Sequence, residues 1–163
     1  MTDSVSFDSV VTLRVERVGI TTVQDRGRPG WAHLGVPHSG AADRASYELA
    51  NRLAGNEPRA AAFETSGGLV LHAVRDMVVV LTGPDCEAFV DDAPLDRCRA
   101  TRVAAGQRVR ITRMRAGVRA YLAVTGGIDC TMMLGSRAHD TLSGVASGIV
   151  ALPLSDGAEI SVG

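Results

Sequence analysis

The chain has 163 residues, 45% of them hydrophobic, with 17 basic and 18 acidic side chains and a formal net charge of -1. That length suffices for one domain with a true hydrophobic core. Because the charges balance and form no block of one sign, we expect no nucleic acid or membrane partner, and a small-molecule substrate or another protein instead. Every basic residue is arginine, so this chain cannot carry a Schiff-base, phosphate-loop or biotinylated lysine.

Three further features of the composition narrow the expectation. Cys86, Cys98 and Cys130 lack CxxC spacing, so we predict neither a disulfide framework nor a metal site. Residues 1–10 are expected to form a flexible arm, and their polar, acidic character differs from a signal peptide. No apolar run reaches the length of a membrane span. We therefore expect a cytoplasmic protein.

Short strand-like runs dominate the chain. Residues 11–18 alternate apolar and polar side chains, as a half-buried strand does. After residue 56, apolar or alternating runs recur between glycine-containing turns. We predict further strands at 62–65, 69–73, 77–81, 88–90, 108–112, 118–124, 149–152 and 159–162. Many short strands with one sound helix indicate a mainly β fold, either a β-barrel or a sandwich.

The segment 21–56 organises the rest of the chain. Its first half holds Gly27, Gly30, Gly35, Gly40, Pro29 and Pro37, which predicts an irregular loop rather than a strand or helix. Its second half predicts a helix from 42 or 43 to 54, capped by Ser39 or Asp43 and followed by Gly55. Glu48 can pair with Arg52 one turn later.

The predicted helix has one apolar face. Its members are Ala42, Ala45 or Ser46, Leu49, Ala50 and Leu53.

Six polar side chains in this loop could do chemistry: Gln24, Asp25, Arg26, Arg28, His38 and Ser39. An arginine can bind a carboxylate or stabilise an oxyanion, and Asp25 or His38 could transfer a proton. Ser39 and nearby backbone amides could hold an oxygen atom. A purely structural loop, in which Asp25 and an arginine tie turns together, accounts for the same residues equally well.

Other candidate sites are weaker. A triad of Ser39, His38 and Asp43 lacks the GxSxG turn, and adjacent residues of one loop do not readily face each other. His72 and His139 have no carboxylate or cysteine partner at ligand spacing, which favours a structural or surface role. The pair Gly126-Gly127 could let the backbone approach a ligand, although a bulge or turn is the more usual explanation.

Taken together, the motifs resemble a known family. TTVQDRGRPGW, GVPHSGAADRAS, ANRLAGN, the step from Phe63 to Thr65, and RAYLAVTGGID followed by LGSR are similar to the KipA family. That family is also called allophanate hydrolase subunit 2, biotin-dependent carboxyltransferase family protein and the C-type 5-oxoprolinase subunit. The resemblance implies a cyclophilin-like β-barrel. It also implies that residues 11–163 are the N-terminal domain of a longer protein whose C-terminal half is absent here.

The resemblance implies three alternative functions. The first is a subunit of an ATP-dependent 5-oxoprolinase, which opens the lactam of 5-oxoproline to glutamate with a KipI-like and a LamB/YcsF-like partner. The second is a carboxyltransferase component that moves a carboxyl group from biotin to urea or a related amide. The third is a non-catalytic regulator that binds a KipI-like kinase inhibitor. Activity is expected only in a complex, with ATP used by the partner subunits or biotin carried on another chain.

The resemblance also carries site residues. As catalytic groups we expect Asp25, Arg26, His38 and Ser39. As substrate-binding groups we expect Gln24, Arg28, Gly35, Asp43, Asn51, Glu64, Gly126, Gly127 and Arg137. Departures from the family pattern, at Ala42, Gly68 and the segment 130–132, affect the surroundings of Gly126-Gly127 more than the loop.

Overall fold

The computed structural model describes residues 10–140 and 154–163. These residues form short strands and one α-helix, as the sequence predicts. In chain order the elements are β1 (Val11–Arg17), β2 (Thr21–Gln24), a 3₁₀ turn (Ala32–Leu34), α1 (Arg44–Leu53), β3 (Ala62–Thr65), β4 (Leu69–Ala73), β5 (Met77–Thr82), β6 (Cys86–Val90), β7 (Ala93–Pro94), β8 (Ala100–Val103), β9 (Arg108–Met114), β10 (Ala120–Val124), β11 (Ile128–Asp129) and β12 (Glu159–Val162).

The strands form two antiparallel sheets. The order is β11-β12-β1-β4-β9-β6-β7 in the larger sheet and β2-β3-β10-β5-β8 in the smaller one. An antiparallel bridge between Ala61 and Ile128 links them at one corner, but within the described residues the sheets do not close into a barrel. The mainly β prediction with one α-helix is confirmed, and the specific likeness to cyclophilin stays a prediction.

Strand β10 shows why a continuous apolar run becomes a central strand. All five of its residues are buried, since the smaller sheet has packing partners on both faces. Leu122 and Val124 join the core between the sheets, whereas Tyr121 and Ala123 join a second cluster beneath α1. Alternate side chains of a strand point to opposite faces, so each face of β10 requires its own apolar set.

Helix α1 packs on the outer face of the smaller sheet, but with a different face from the predicted one. Its buried residues are Tyr47, Ala50 and Asn51, whereas Leu53 is 39% exposed. The Tyr47 hydroxyl and the Asn51 amide both donate to the Ala60 carbonyl, at 2.8 and 3.0 Å. These bonds satisfy the polar ends of both side chains, which is why two residues outside the predicted apolar face are buried.

The ends and surface contacts of the helix test two expectations. Asp43 is the N-cap and accepts from the Ser46 amide and hydroxyl, as predicted. The expected pairing of Glu48 with Arg52 is wrong, because Glu48 instead contacts Arg26 of the preceding loop at 3.0 Å.

The strand predictions are mostly correct. The predicted 62–65, 69–73 and 159–162 coincide with β3, β4 and β12, and four others differ from the observed strands only at their ends. The expectation that the whole first half of 21–56 is irregular is wrong for β2, and the sequence pattern did not reveal β7, β8 and β11. The predicted strand 149–152 lies outside the described residues.

Gly19 is a position where only glycine fits. Its φ is +58°, and a Cβ atom there would lie 2.4 Å from the Gly67 carbonyl oxygen. We expect Gly19→Ala to lower the free energy of unfolding by at least about 2 kcal/mol, since backbone strain and a clash with fixed backbone add together. Urea denaturation measures this effect.

Gly55→Ala is the matched control for this substitution. Gly55 has a φ of +73°, but a Cβ atom there would meet nothing within 4 Å. This variant should therefore show only the backbone cost, about 1 kcal/mol. Equal losses of stability for the two variants would contradict the close approach of Gly19 to the turn at Gly67.

Candidate functional site

The carboxylate of Asp25 joins the two glycine-rich segments. Its Oδ1 accepts from the Gly27 amide at 2.7 Å and from the Ser136 hydroxyl at 2.6 Å, and its Oδ2 accepts from the Arg137 amide at 2.6 Å. The side chain is buried, with 5% of the residue exposed. These contacts are those of a positioning group, and they fit the structural explanation that the sequence left open; a catalytic role for Asp25 stays a prediction.

Arg28 is a buried cation behind the loop. It is 1% exposed, and it donates to the Ser39 Oγ at 3.2 Å and to the Ala138 carbonyl. None of the ion pairs among the described residues includes Arg28, its Nε has no partner there, and residues 141–153 contain no aspartate or glutamate. Burying a charge without an opposite charge is costly, so this guanidinium biases its surroundings toward negative charge.

Ser39 connects Arg28 to a cleft of about 560 Å³. The cleft is lined by Gly19, Ile20, Thr21, Thr22, Gln24, Pro37, Ser39, Gly40, Glu64, Arg119, His139 and Asp140. Ser39 has a φ of +53°, a left-handed conformation uncommon for a residue with a side chain. Because Arg28 donates to the Ser39 oxygen, the Ser39 hydroxyl proton is left to donate to another acceptor.

Gln24 and His139 form one side of the cleft. The Gln24 amide donates to the Thr22 hydroxyl at 3.0 Å and to the His139 carbonyl at 3.1 Å, while its Oε1 is buried without a partner among the described residues. The His139 Nδ1 accepts from the Val23 amide at 3.4 Å, which places the proton of the neutral ring on Nε2. Burial, with the charge of Arg28, lowers the pKa of His139 to about 4.

Glu64 and Tyr121 hold the start of the helix against the cleft. Glu64 Oε2 accepts from the Tyr121 hydroxyl at 2.7 Å and from the Ala42 amide at 2.8 Å, and the Tyr121 oxygen accepts from the Asp43 amide. Burial raises the pKa of Tyr121, so its hydroxyl stays protonated and can donate. Arg119 contacts the other Glu64 oxygen at 3.5 Å.

Arg26 and His38 lie apart from the cleft. The Arg26 guanidinium pairs with Glu48 and lines a different pocket of about 380 Å³, together with Arg52. His38 is exposed, and its Nδ1 donates to the Ser39 carbonyl at 2.9 Å rather than to the Ser39 hydroxyl. The structure therefore does not assemble the four predicted catalytic residues in one place, and the contacts of His38 and Asp43 do not form a triad with Ser39.

Asn51 and the glycine pair belong to another part of the surface. The Asn51 Oδ1 accepts from the Asn56 amide, which also donates to the Val124 carbonyl, and Asn56 Oδ1 accepts from the Gly126 amide, each at 2.8 Å. A Cβ atom on Gly126 would lie 2.1 Å from a backbone oxygen, and one on Gly127 would lie 2.8 Å from Ala60. Close packing of the backbone thus accounts for both glycines.

The remaining predicted binding residues also have structural contacts. Gly35 ends the 3₁₀ turn, and Asp43 caps α1, where hydrogen bonds from Ser46 hold the pKa of its carboxyl below the usual value. The Arg137 guanidinium donates to the Cys130 carbonyl and to Asp129. Their assignment to substrate binding stays a prediction.

Sequence reasoning missed two residues of the cleft, Arg119 and His139. Arg119 precedes a buried strand directly, and His139 follows Arg137 within the second glycine-rich segment. Each stands close in the chain to a predicted motif, and that proximity was the one signal of a role in the site.

Metal-binding clusters and membrane-spanning helices are absent from residues 10–140 and 154–163. In that part of the chain no group of three or more His, Cys, Asp and Glu side chains could hold a metal ion. No helix there is long and apolar enough to cross a membrane.

Comparison with known proteins places these features in a family. Residues 34–163 match the family described as carboxyltransferase domain, subdomain A and B. The chain is 39% identical to the C-type 5-oxoprolinase subunit of Escherichia coli over 153 residues, which are 93% of this chain and 49% of that protein. It is also 39% identical to urea amidolyase of Lachancea kluyveri over 119 residues, 72% of this chain and 6% of that protein.

A solved structure agrees with the sequence matches. The urea carboxylase of Kluyveromyces lactis superimposes with a TM-score of 0.86 and 30% identity, over 98% of this chain and 14% of that one. The chain spans about half the length of the Escherichia coli protein. The resemblance recognised from the sequence motifs is thus confirmed, and the chain belongs to the family of carboxyltransferase domains with subdomains A and B.

Proposed function

We propose that this chain is the N-terminal part of a 5-oxoprolinase subunit, which acts with a KipI-like and a LamB/YcsF-like partner. In this reaction ATP hydrolysis drives the opening of the lactam of 5-oxoproline to glutamate. The observation that carries the proposal is the 39% identity to the C-type 5-oxoprolinase subunit over 93% of the chain. ATP is used with the partner subunits.

The geometry of the cleft supports chemistry at an amide carbonyl. Attack on a lactam carbonyl puts negative charge on its oxygen, and hydrogen-bond donors fixed in advance stabilise that charge. The Ser39 hydroxyl, with buried Arg28 behind it, is such a donor. His139 adds a neutral ring whose Nε2 carries the proton, and a neutral imidazole can polarise a carbonyl by donating a hydrogen bond.

A second candidate is transfer of a carboxyl group from biotin to urea or a related amide. The match to a carboxyltransferase family and the likeness to urea amidolyase favour it. The chain contains no lysine, so the biotin would be attached to another chain. Both candidates need donors for an amide or urea oxygen, and the same cleft serves either.

The decisive experiment reconstitutes the complete subunit with the KipI-like and LamB/YcsF-like partners and measures ATP hydrolysis that depends on 5-oxoproline, together with glutamate formation. We expect turnover, and we expect Ser39→Ala to lower kcat/KM by about 100-fold, the usual effect of removing one oxyanion donor. Ser155→Ala removes an exposed hydroxyl in a distant turn and serves as the matched control.

The outcomes separate the alternatives. No turnover with the complete set of subunits would refute the 5-oxoprolinase proposal, and tight binding of the KipI-like protein without turnover would favour the regulatory role. Activity lost with Arg26→Ala but kept with Ser39→Ala would move the site to the pocket beside Glu48. A biotin-dependent product from urea would favour carboxyl transfer.

Asp25→Asn tests whether Asp25 positions the two segments. An amide nitrogen would face an N–H or O–H donor where a carboxylate oxygen now accepts, so we expect a loss of about 2–3 kcal/mol in the free energy of unfolding. Thermal and urea denaturation measure this loss. Unchanged stability together with abolished turnover would instead support the catalytic assignment.

The buried His139 predicts a pH-dependent stability. Its pKa is about 4 in the folded chain and near 6.5 when unfolded, so only the unfolded state binds the proton readily. Its contribution is fully present above about pH 6.5 and is lost as the pH falls toward 4, by about 3 kcal/mol. Urea titrations across this range should show the loss, and His139→Gln should flatten it. An identical pH dependence in His139→Gln would contradict this explanation.

A further inference from the structure

Arg119 lies where the cleft meets a neighbouring pocket. It directly precedes β10 and lines both the cleft of about 560 Å³ and a second pocket of about 450 Å³, which is also lined by Asp43 and Val118. No sequence motif assigned this residue a role. Its position at the junction of two open volumes makes its guanidinium accessible from both, and its side chain is 38% exposed.

The guanidinium is held in place from behind. Its Nε lies 3.5 Å from Glu64 Oε1, and its NH1 donates to the Ser66 Oγ at 3.2 Å. Ser66 in turn donates its proton to the Val118 carbonyl at 2.8 Å, which leaves its oxygen free to accept from Arg119. Glu64 is itself fixed, because its other oxygen accepts two hydrogen bonds, from the Ala42 amide and the Tyr121 hydroxyl.

This arrangement leaves most of the donors of Arg119 available. A guanidinium carries five N–H donors, and the contacts with Glu64 and Ser66 engage two of them. A guanidinium whose orientation is fixed in advance loses little side-chain entropy when it binds a ligand, and its planar fork matches a carboxylate in a bidentate way.

The other charges of the cleft distinguish Arg119 further. His139 is neutral at physiological pH, and Arg28 is 1% exposed behind Ser39, so a ligand cannot reach it directly. The acidic groups lining the cleft are Glu64, which is engaged as described, and Asp140. Among the described residues that line the cleft, Arg119 is therefore the cation able to meet an anion.

We infer that Arg119 is a carboxylate-binding residue of the cleft. Resting on the proposed function, the inference assigns to it the carboxylate of 5-oxoproline, while the lactam group falls to the neutral donors such as Ser39. Urea has no carboxylate, so this contact also bears on substrate choice between the two proposed reactions.

The test measures binding to the complete subunit by calorimetry and follows the Arg119 Nε–H signal by ¹⁵N NMR. The probes are 5-oxoproline, 2-pyrrolidinone, which is the same lactam without the carboxylate, and acetate. We expect Arg119→Gln to weaken 5-oxoproline binding at least about 30-fold and to leave the weaker binding of 2-pyrrolidinone unchanged. Arg119→Lys should restore part of the affinity. The matched control is Arg115→Gln, which breaks the surface pair with Glu87.

The outcomes keep the inference separate from the proposed function. Equal affinity of wild type and Arg119→Gln for 5-oxoproline overturns the inference and leaves the function intact. A shift of the Arg119 signal by acetate, without any binding of 5-oxoproline, supports the carboxylate site and counts against the function. No shift of that signal by either carboxylate overturns the inference whatever the function proves to be.

Discussion

The organisation of the cleft depends on one buried carboxylate. Asp25 accepts hydrogen bonds from its own loop through Gly27 and from the second glycine-rich segment through Ser136 and Arg137. The two segments lie far apart in the chain, and neither has regular structure to hold it. Without this acceptor, three donors would be buried unsatisfied, and the Ala138 carbonyl that receives Arg28 would lose its support.

The loop around Arg28 shows how a fold can place a charge near a ligand without exposing it. Its guanidinium reaches the cleft only through the Ser39 hydroxyl, and Ser39 adopts a strained backbone conformation that sets this contact. Such strain persists when surrounding contacts fix it, and it concentrates at functional sites. An uncompensated buried cation and a strained serine in direct contact favour a functional role for the loop over a purely structural one.

How far the sequence could predict this molecule depends on how local each feature is. Helix α1 and most strands follow from periodicity and turn residues, and the Asp43 cap follows from position alone. The buried face of α1 was predicted incorrectly because burial of Tyr47 and Asn51 requires the Ala60 carbonyl, which lies beyond the helix. Strand β2 was missed because its pairing with β3, rather than its short sequence, defines it.

The site follows the same distinction between local and distant contacts. Motif spacing grouped Asp25, Arg26, His38 and Ser39, but spacing cannot show that Arg26 turns toward the helix while Ser39 turns into the cleft. Arg119 was out of reach for a related reason. What sets it apart is the support of its guanidinium by groups on β3 and the turn after it, and only the folded chain brings those together.

Asn56 gives the molecule a mechanical property. Its side chain spans from Asn51, near the end of α1, to the Val124 carbonyl and the Gly126 amide at the end of β10. The helix end and the glycine turn therefore form one rigid unit, so a force applied to the outer surface of α1 is carried to the turn at Gly126. A protein that docks on that helix would thus displace a backbone segment it never touches.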